Sequence, residues 1–514
     1  MKTLYIKTAL IFAVSALSVV SCRKDFLDQK PTSTLNELNY FKTVDELETG
    51  LVGCYGAIRY NFDMDCWALG DVGSDDADCG STSNDQPQLY DVSYSRQNAG
   101  NGWVQSWWTD QYFIIARCNE VIDRSAGTQG DAAAIEKIVD QAKFIRALMF
   151  YHLLTEFGDI PLVNKFLSPD KLDLKRAPVA DIWVQIESDL NDATNLPTKG
   201  EWNDPVNQSG RVTSGAAYSL LGKVYLTEQK YELANSAFDK VVQSGQYSLV
   251  PDYGFIYRHE GENCDESIFE IQEKNGISGG NMGTWSGIFR LERGQEGWGF
   301  DCPTKDLLKE FEPGDPRTIY TFMFPGDEFP GSNGSIYTVT SDQTSPTGYN
   351  SRKAWIPHSE RDGIDWYDWD INYRYMRYSE VLLLYAESLN EVNKPSEALA
   401  LLNQVRARAR STPTTDPQRI SCAYDLSYTG VLLPDVTTTD QSALRQAIWH
   451  EQRVEQAIEG QRRAALLRTD RFKERMETAK AYAGVTVQPY ELLLPIPATE
   501  IELSNHVLTQ NPDY

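Results

Sequence analysis

Hydrophobic residues recur at helical spacing in two units of matching pattern, residues 218–238 and residues 382–402. In each unit, a small residue in the first helix is followed twelve positions later by a small residue in the second helix. These small residues are Gly222 and Ala234 in the first unit, and Ala386 and Ala398 in the second. Such spacing is typical of tetratricopeptide units, in which two antiparallel helices cross closely. The pattern predicts a mainly α-helical scaffold.

Two further stretches, residues 142–157 and residues 443–468, are amphipathic with a helical period. We interpret them as helices of degenerate repeat units. A long insertion separates the first stretch from its predicted partner helix at residues 181–196. The helical scaffold is therefore expected to be interrupted along the chain.

Two long segments, residues 61–102 and residues 254–372, have no sustained helical period. The first is rich in Gly, Asp, Ser and Asn, whereas the second is rich in Gly, Pro and aromatic residues. Loops of this length in a compact protein are usually functional or disordered, and a high aromatic content argues against disorder. We therefore expect these segments to be ordered loops that carry the function.

The beginning of the chain has the pattern of a secretory signal, predicted as residues 1–21. Lys2 and Lys7 precede an apolar run of about 12 residues, which is too short to span a membrane. The run ends at Val20, and residues 19–22, which lead up to and include Cys22, resemble a bacterial lipobox. Acylation of Cys22 would anchor a mature domain of residues 22–514, because more than one acyl chain gives stable attachment. The alternative is an ordinary cleaved signal with a chance cysteine.

The net charge limits the macromolecules that the chain can bind, and the cysteine spacing limits its metal sites and disulfides. A formal net charge of −25 disfavours nucleic acid and anionic lipid surfaces, so contact with a membrane is expected only through the lipid anchor. The cysteines form no C-x-x-C pair, and neither a metal site nor a cofactor is predicted. For an exported protein, disulfides among Cys54, Cys66 and Cys79 and buried free thiols both remain open.

Short motifs in order along the chain resemble the SusD/RagB family of outer-membrane nutrient-binding lipoproteins. They are residues 21–28 (SCRKDFLD), 117–122 (RCNEVI), 157–163 (FGDIPLV), 210–213 (GRVT), 373–381 (YRYMRYSEV), 494–497 (LPIP) and 510–514 (QNPDY). The resemblance implies about four tetratricopeptide helix pairs, with irregular loops near residues 61–102 and 254–372 forming the ligand face. It further implies an exterior-facing outer-membrane lipoprotein that captures glycan, without transforming it, for a SusC-like TonB-dependent transporter.

Candidate ligand residues follow from the chemistry of sugars, whose apolar C–H faces stack on aromatic rings while their hydroxyls bind polar side chains. Trp285 and Trp298 lie in glycine-rich sequence with few neighbouring side chains to bury a ring. A second group resembles the ligand-side loops of the family. The predicted ligand-binding residues are Trp67, Asp75, Asp76, Trp285, Trp298 and Trp355. The tryptophans predicted to be structural are Trp103, Trp107, Trp108, Trp366 and Trp369.

Other classes of function remain open from the sequence. A glycoside hydrolase needs only two carboxylates at a set separation. Glu451 and Glu455 share a helix face, but we interpret them as partners of Arg453 and Arg462 in a salt-bridged scaffold, so no catalytic residue is predicted. The remaining alternatives are capture of another nutrient, such as peptide, and a scaffold that binds other proteins on its repeats.

Overall fold

The fold was analysed in a computed structural model of the chain. The structure describes residues 40–168, 174–202, 210–275, 283–361 and 368–514, with backbone alone at residues 60–65. The predicted signal peptide, the lipidation site Cys22 and Trp366 lie outside the described residues. Their assignments therefore remain predictions.

The described part of the chain is mainly helical, as the periodicity predicts. Its α-helices are α1 (Val44–Trp67), α2 (Pro87–Ser93), α3 (Gly102–Arg124), α4 (Ala132–Phe157), α5 (Val179–Ala193), α6 (Ser214–Thr227), α7 (Tyr231–Gln243), α8 (Ser286–Arg290), α9 (Lys305–Glu310), α10 (Arg317–Thr321), α11 (Ser341–Thr344), α12 (His358–Arg361), α13 (Tyr378–Glu391), α14 (Pro395–Ser411), α15 (Gln441–Glu455), α16 (Arg462–Arg468), α17 (Phe472–Ala479) and α18 (Ala498–Leu503). A π-helical turn, Ala68–Val72, continues directly from α1.

The strands are short and pair in twos, all antiparallel. They are β1 (Ala77–Cys79), β2 (Ile160–Pro161), β3 (Arg176–Ala177), β4 (Ser267–Ile271), β5 (Asp301–Pro303), β6 (Phe322–Met323), β7 (Glu328–Pro330), β8 (Ile336–Thr338), β9 (Asn350–Ser351) and β10 (Tyr373–Arg377). The pairs are β1 with β5, β2 with β3, β4 with β10, β6 with β9, and β7 with β8. The pair of β1 with β5 joins the first loop segment to the second, so the two segments order one another by backbone pairing.

The two predicted helix pairs are confirmed. α6 packs against α7, and α13 packs against α14, while α13 also contacts α7 and thereby joins the two units. A Cβ added to Gly222 would lie 2.5 Å from Cε1 of Phe238. A glycine is therefore required where the ring of the second helix crosses the first.

The first predicted degenerate unit also forms a helix, α4. α4 contains the predicted residues 142–157 and packs against both α3 and α5. Capping side chains mark the starts of α4 and α6. The side chain of Asp131 accepts from the backbone N–H of Ala133 at the start of α4, and that of Thr213 accepts from the backbone N–H of Ala216 at the start of α6. The scaffold is thus a succession of antiparallel helix pairs.

The predicted helical stretch of residues 443–468 is helical, but in two pieces. α15 ends at Glu455 and α16 begins at Arg462. Between them Ile458 and Gly460 adopt left-handed φ values of 59° and 75°. The backbone N–H of Gly460 donates to Asp71 Oδ1 at 2.8 Å. The helical period therefore spans a turn that is held by the first loop segment.

Buried ion pairs connect the repeat helices with the second loop segment. Arg377, at the end of β10, contacts Glu266 at 2.8 Å, Glu455 at 3.1 Å and Glu459 at 2.9 Å. Each of these side chains is at most 8% exposed. Because a buried charge is costly unless it is paired, the network strongly favours this single arrangement of the turn after α15 and the β4–β10 ladder.

None of the seven cysteines after Cys22, all of which lie in the described part of the chain, forms a disulfide, so the disulfide alternative is wrong. Cys422 is exposed and Cys264 is half-buried, whereas the other five are buried. None of the helices in the described part of the chain is long and apolar enough to cross a membrane.

Candidate functional site

An aromatic cluster surrounds Phe289 on α8, where the two loop segments meet the start of α3. The rings nearest to Phe289, with centroid separations, are Trp298 (4.6 Å), Trp67 (5.7 Å), Phe300 (5.8 Å), Trp103 (6.4 Å) and Trp285 (6.4 Å). Trp285 is 36% exposed, and Trp103 and Trp298 are half-buried. We call these three residues the tryptophan platform. It presents apolar ring surface to solvent on a well-packed base.

Backbone hydrogen bonds at or next to each tryptophan position the platform. The side chain of Asn101 accepts from the backbone N–H of Trp103 at 3.0 Å, which fixes the first turn of α3. The backbone of Thr284, next to Trp285, pairs with Trp369. The N–H of Trp298 donates to the carbonyl of Ile288 on α8 at 2.7 Å. The rings are therefore positioned by backbone bonds as well as by packing.

The glycines around these tryptophans permit close approach of chain segments. A Cβ on Gly287 would lie 1.8 Å from Cζ3 of Trp369, and a Cβ on Gly297 would lie 2.5 Å from the carbonyl oxygen of Ile288. The glycine-rich sequence thus brings backbone against ring and backbone against backbone. This packing explains why the loop is ordered despite its composition.

A polar pair lies beside Trp298 at the edge of the platform. Arg293 Nη1 contacts Asp85 Oδ2 at 2.7 Å and donates to the carbonyl of Trp298 at 3.2 Å. The side chains of Arg293 and Asp85 are 39% and 35% exposed. The hydrogen bond from Ser81 and the contact with Arg293 lower the pKa of Asp85, so its carboxylate is ionised at neutral pH. The edge offers both donors and acceptors for hydroxyl groups.

Trp67 lies beneath the platform, so a direct ligand contact does not agree with its placement. Residue 67 ends α1 instead of standing in a loop, and its ring is 2% exposed. It packs edge-on against Trp103 at 5.7 Å and against Phe289 at 5.7 Å. Its role in this structure is to support the two rings above it.

Asp75 and Asp76 are also buried, at 0% and 1% exposure, and cannot reach a surface ligand. Asp75 contacts Arg462 at 2.7 Å, Arg453 at 3.0 Å and Arg475 at 2.9 Å, while Asp76 contacts Arg453 at 2.9 Å. Against the desolvation caused by burial, the guanidinium groups of Arg453 and Arg462 hold the pKa of Asp75 well below its usual value. The acidic pair therefore anchors the first loop to the C-terminal helices.

Trp355 is likewise a core residue and is corrected from a ligand contact to a packing element. Its side chain is 1% exposed. Its ring stacks on Tyr337 at 5.5 Å with an interplanar angle of 14°, and packs on Phe329 at 4.6 Å. Arg361 lies 4.8 Å from its ring centroid on the other side. These contacts leave no ring face for a ligand.

Two family models match the chain. The model described as "SusD family" matches residues 265–514, and the model described as "Starch-binding associating with outer membrane" matches residues 25–226. Together they cover most of the chain, including all three tryptophans of the platform. The chain belongs to the SusD/RagB family.

Individual relatives agree with this assignment. "SusD-like protein P2" of Formosa agariphila is 26% identical over 546 aligned residues, covering 99% of this SusD-family chain and 100% of the relative. A solved structure named "Laminarin binding SusD-like protein" has a TM-score of 0.75 and 25% identity, covering 92% of this chain and 100% of that one. "Surface glycan-binding protein A" of Bacteroides thetaiotaomicron, solved in complex with laminarihexaose, has a TM-score of 0.73, 21% identity and coverages of 91% and 100%.

The acidic helix face of this SusD-family chain is a buried ion network, as predicted, but with other partners. Glu451 contacts Arg317 at 2.6 Å and Arg406 at 2.7 Å. Glu455 contacts Arg317 at 3.0 Å and Arg377 at 3.1 Å. The predicted partners Arg453 and Arg462 instead bind the Asp75–Asp76 pair. Both glutamates are 0% exposed, which excludes contact with a surface glycan.

Sequence reasoning missed two members of the site, Trp103 and Phe289. Trp107 and Trp108 are core residues as predicted, each 3% exposed, whereas Trp103 is only half-buried. Asn101 could have indicated the partial exposure of Trp103. As a helix-capping residue it places Trp103 in the first turn of α3, away from the buried middle of the helix. Trp369, predicted to be structural, is 3% exposed and agrees with that prediction.

Proposed function

We propose that this SusD-family chain is a cell-surface lipoprotein that captures glycan and passes it to a SusC-like TonB-dependent transporter. In this proposal acylated Cys22 anchors the protein to the outer membrane, with the platform facing the exterior. The observation that carries the proposal is the platform itself, three partly exposed tryptophans on one packed base. The names of the solved relatives support a glycan as ligand.

Stacking and hydrogen bonding are both available at the platform. A sugar ring can lie on Trp285 or Trp298, while Asp85 and Arg293 at the edge supply an acceptor and donors for its hydroxyls. A strongly negative chain disfavours acidic polysaccharides, which would be repelled. The proposed ligand is therefore a neutral glycan. Laminarihexaose, a glucan bound by a solved relative, is a suitable first probe.

Binding is proposed to occur without catalysis. Within the described residues, no group of three His, Cys, Asp or Glu side chains could hold a metal ion. Ser93 and Lys480 form a hydroxyl–amine pair at 3.0 Å, with burial lowering the pKa of Lys480 to about 8. Both residues are 0% exposed, and Lys480 also donates to two backbone carbonyls. This pair is therefore inaccessible to a polysaccharide.

Two measurements on the purified mature protein in detergent test the proposal. A glycan array followed by calorimetry should show saturable binding of a neutral glycan, and chromatography after long incubation should return that glycan unchanged. Binding of peptides but of no glycan would favour another nutrient as ligand. Shorter products that track with the protein through purification would favour a hydrolase.

A further inference from the structure

His259 lies between two carboxylates, those of Glu360 and Asp370. Its Nδ1 contacts the carboxylate of Glu360 on α12, and its Nε2 lies 3.1 Å from Oδ1 of Asp370. An ionised carboxylate only accepts hydrogen bonds, whereas a neutral imidazole has one donor and one acceptor. Both contacts can form together only when the ring carries two protons. With both carboxylates ionised, these two contacts require the imidazolium form of His259.

Asp370 is next in sequence to an isolated backbone bridge that leads into Trp285. Its neighbour Trp369 pairs with Thr284, whose N–H donates to the carbonyl of Trp369 at 2.6 Å. Asp368 Oδ1 accepts from the N–H of Gly283 at 2.7 Å. Trp285 follows directly after this two-residue ladder. A displacement of Asp370 would therefore be transmitted to Trp285 through hydrogen-bonded backbone.

We propose that protonated His259 is a positioning residue for the tryptophan platform, so that glycan binding weakens as the pH rises and the imidazolium loses its proton. The proposal rests on the proposed glycan-binding function. Loss of one ring proton removes the hydrogen bond that His259 donates to one of the two carboxylates. One of the contacts of His259 with Glu360 and Asp370 is then lost, and the backbone pairing next to Trp285 becomes weaker.

The charges around His259 set the pH range. Burial opposes protonation, but Glu360, Glu262 and Asp370 outweigh it and raise the pKa of His259 above its usual value. Lys274 lies 3.5 Å from Asp370 Oδ2 but is 68% exposed, so it is a weaker competitor for that carboxylate. The contribution of protonated His259 to the positioning of the platform is therefore fully present below about pH 6.5. It is lost as the pH rises through the higher folded-state pKa of His259. The ring is 24% exposed, so it can exchange protons with solvent.

The test compares laminarihexaose affinity of the mature protein by calorimetry between pH 5.5 and pH 8.5. Wild-type affinity should fall by roughly twofold to fivefold over this range, the size expected for a partly exposed ion pair. His259→Gln should bind weakly and with a flat pH profile, and Glu360→Gln should move the midpoint to lower pH. His506→Asn, which removes an exposed imidazole outside the platform, should behave like the wild type. A flat wild-type profile, or an unshifted midpoint in Glu360→Gln, would overturn the proposal.

Hydrogen exchange tests the same proposal without any glycan. At pH 6, amides of residues 283–290 should exchange roughly twofold to fivefold faster in His259→Gln than in the wild type. The reason is that the variant lacks the doubly protonated imidazole that joins Glu360 to Asp370. The difference between the two proteins should shrink at pH 8.5. Equal exchange at pH 6 would contradict the positioning role. A clear exchange difference together with no glycan binding at any pH would refute the proposed function and leave the positioning role intact.

Discussion

Asp75→Asn removes one negative charge from the pair that holds the first loop to the C-terminal helices. The amide has nearly the shape of the carboxylate, so the change is mainly electrostatic. Asp75 contacts three guanidinium groups within 3.0 Å, from Arg453, Arg462 and Arg475, and is 0% exposed. Removing one partner of a buried ion pair leaves uncompensated charge and costs about 3 to 5 kcal/mol of unfolding free energy.

Urea denaturation followed by circular dichroism measures this loss, and Asp76→Asn is the matched control. Burial raises the pKa of Asp76 whereas that of Asp75 is lowered, so neutralising Asp76 should cost clearly less. Because the pKa of Asp75 is lowered in the folded protein, its contribution to the unfolding free energy is present above pH 4. That contribution is lost only at lower pH, as the pH falls through the depressed folded-state pKa. Unchanged stability of Asp75→Asn, together with weaker glycan binding, would refute the structural role and restore the ligand role.

Three further outcomes follow from the same structure. Trp355→Ala should lower the unfolding free energy by about 3 to 5 kcal/mol in urea titrations while glycan affinity of the folded protein stays unchanged, because its ring fills the core. Against the desolvation caused by burial, Glu310 and Glu312 raise the pKa of His450 to about 9. A thermal-shift profile should therefore show a stability contribution of His450 that is present below pH 6.5, is lost as the pH rises through 9, and is absent in His450→Gln. A thiol reagent should modify Cys422 first in the native protein, and Cys422→Ser should remove that fast reaction.

The repeat helices could be predicted because their information is local. Helical spacing of apolar residues identifies the face that is buried, and Gly222 marks the place where Phe238 crosses. The break after α15 could not be read in this way, since apolar residues continue at helical spacing through it. A distant contact, the hydrogen bond from the N–H of Gly460 to Asp71, holds the turn that separates the two helices.

The candidate site was predictable only in part, because burial in a loop depends on partners that are distant in sequence. Trp298 and Trp355 both stand in segments without helical period, yet one is half-buried and the other is 1% exposed. The difference comes from Phe329 and Tyr337, which cover Trp355 from a separate hairpin. An acidic pair such as Asp75 and Asp76 likewise suits a ligand site or an ion network until its arginine partners are known.

The most direct test of the central claim is the glycan affinity of Trp285→Ala and Trp298→Ala, measured by calorimetry with the glycan identified on the array. Each ring should contribute about 1 kcal/mol, so each change should weaken binding about fivefold while the thermal midpoint moves little for the more exposed Trp285. Trp183→Ala, which removes a half-buried ring on α5, should leave affinity unchanged. Unchanged affinity in both platform variants, with folding intact, would contradict the claim that this SusD-family chain captures glycan on the tryptophan platform.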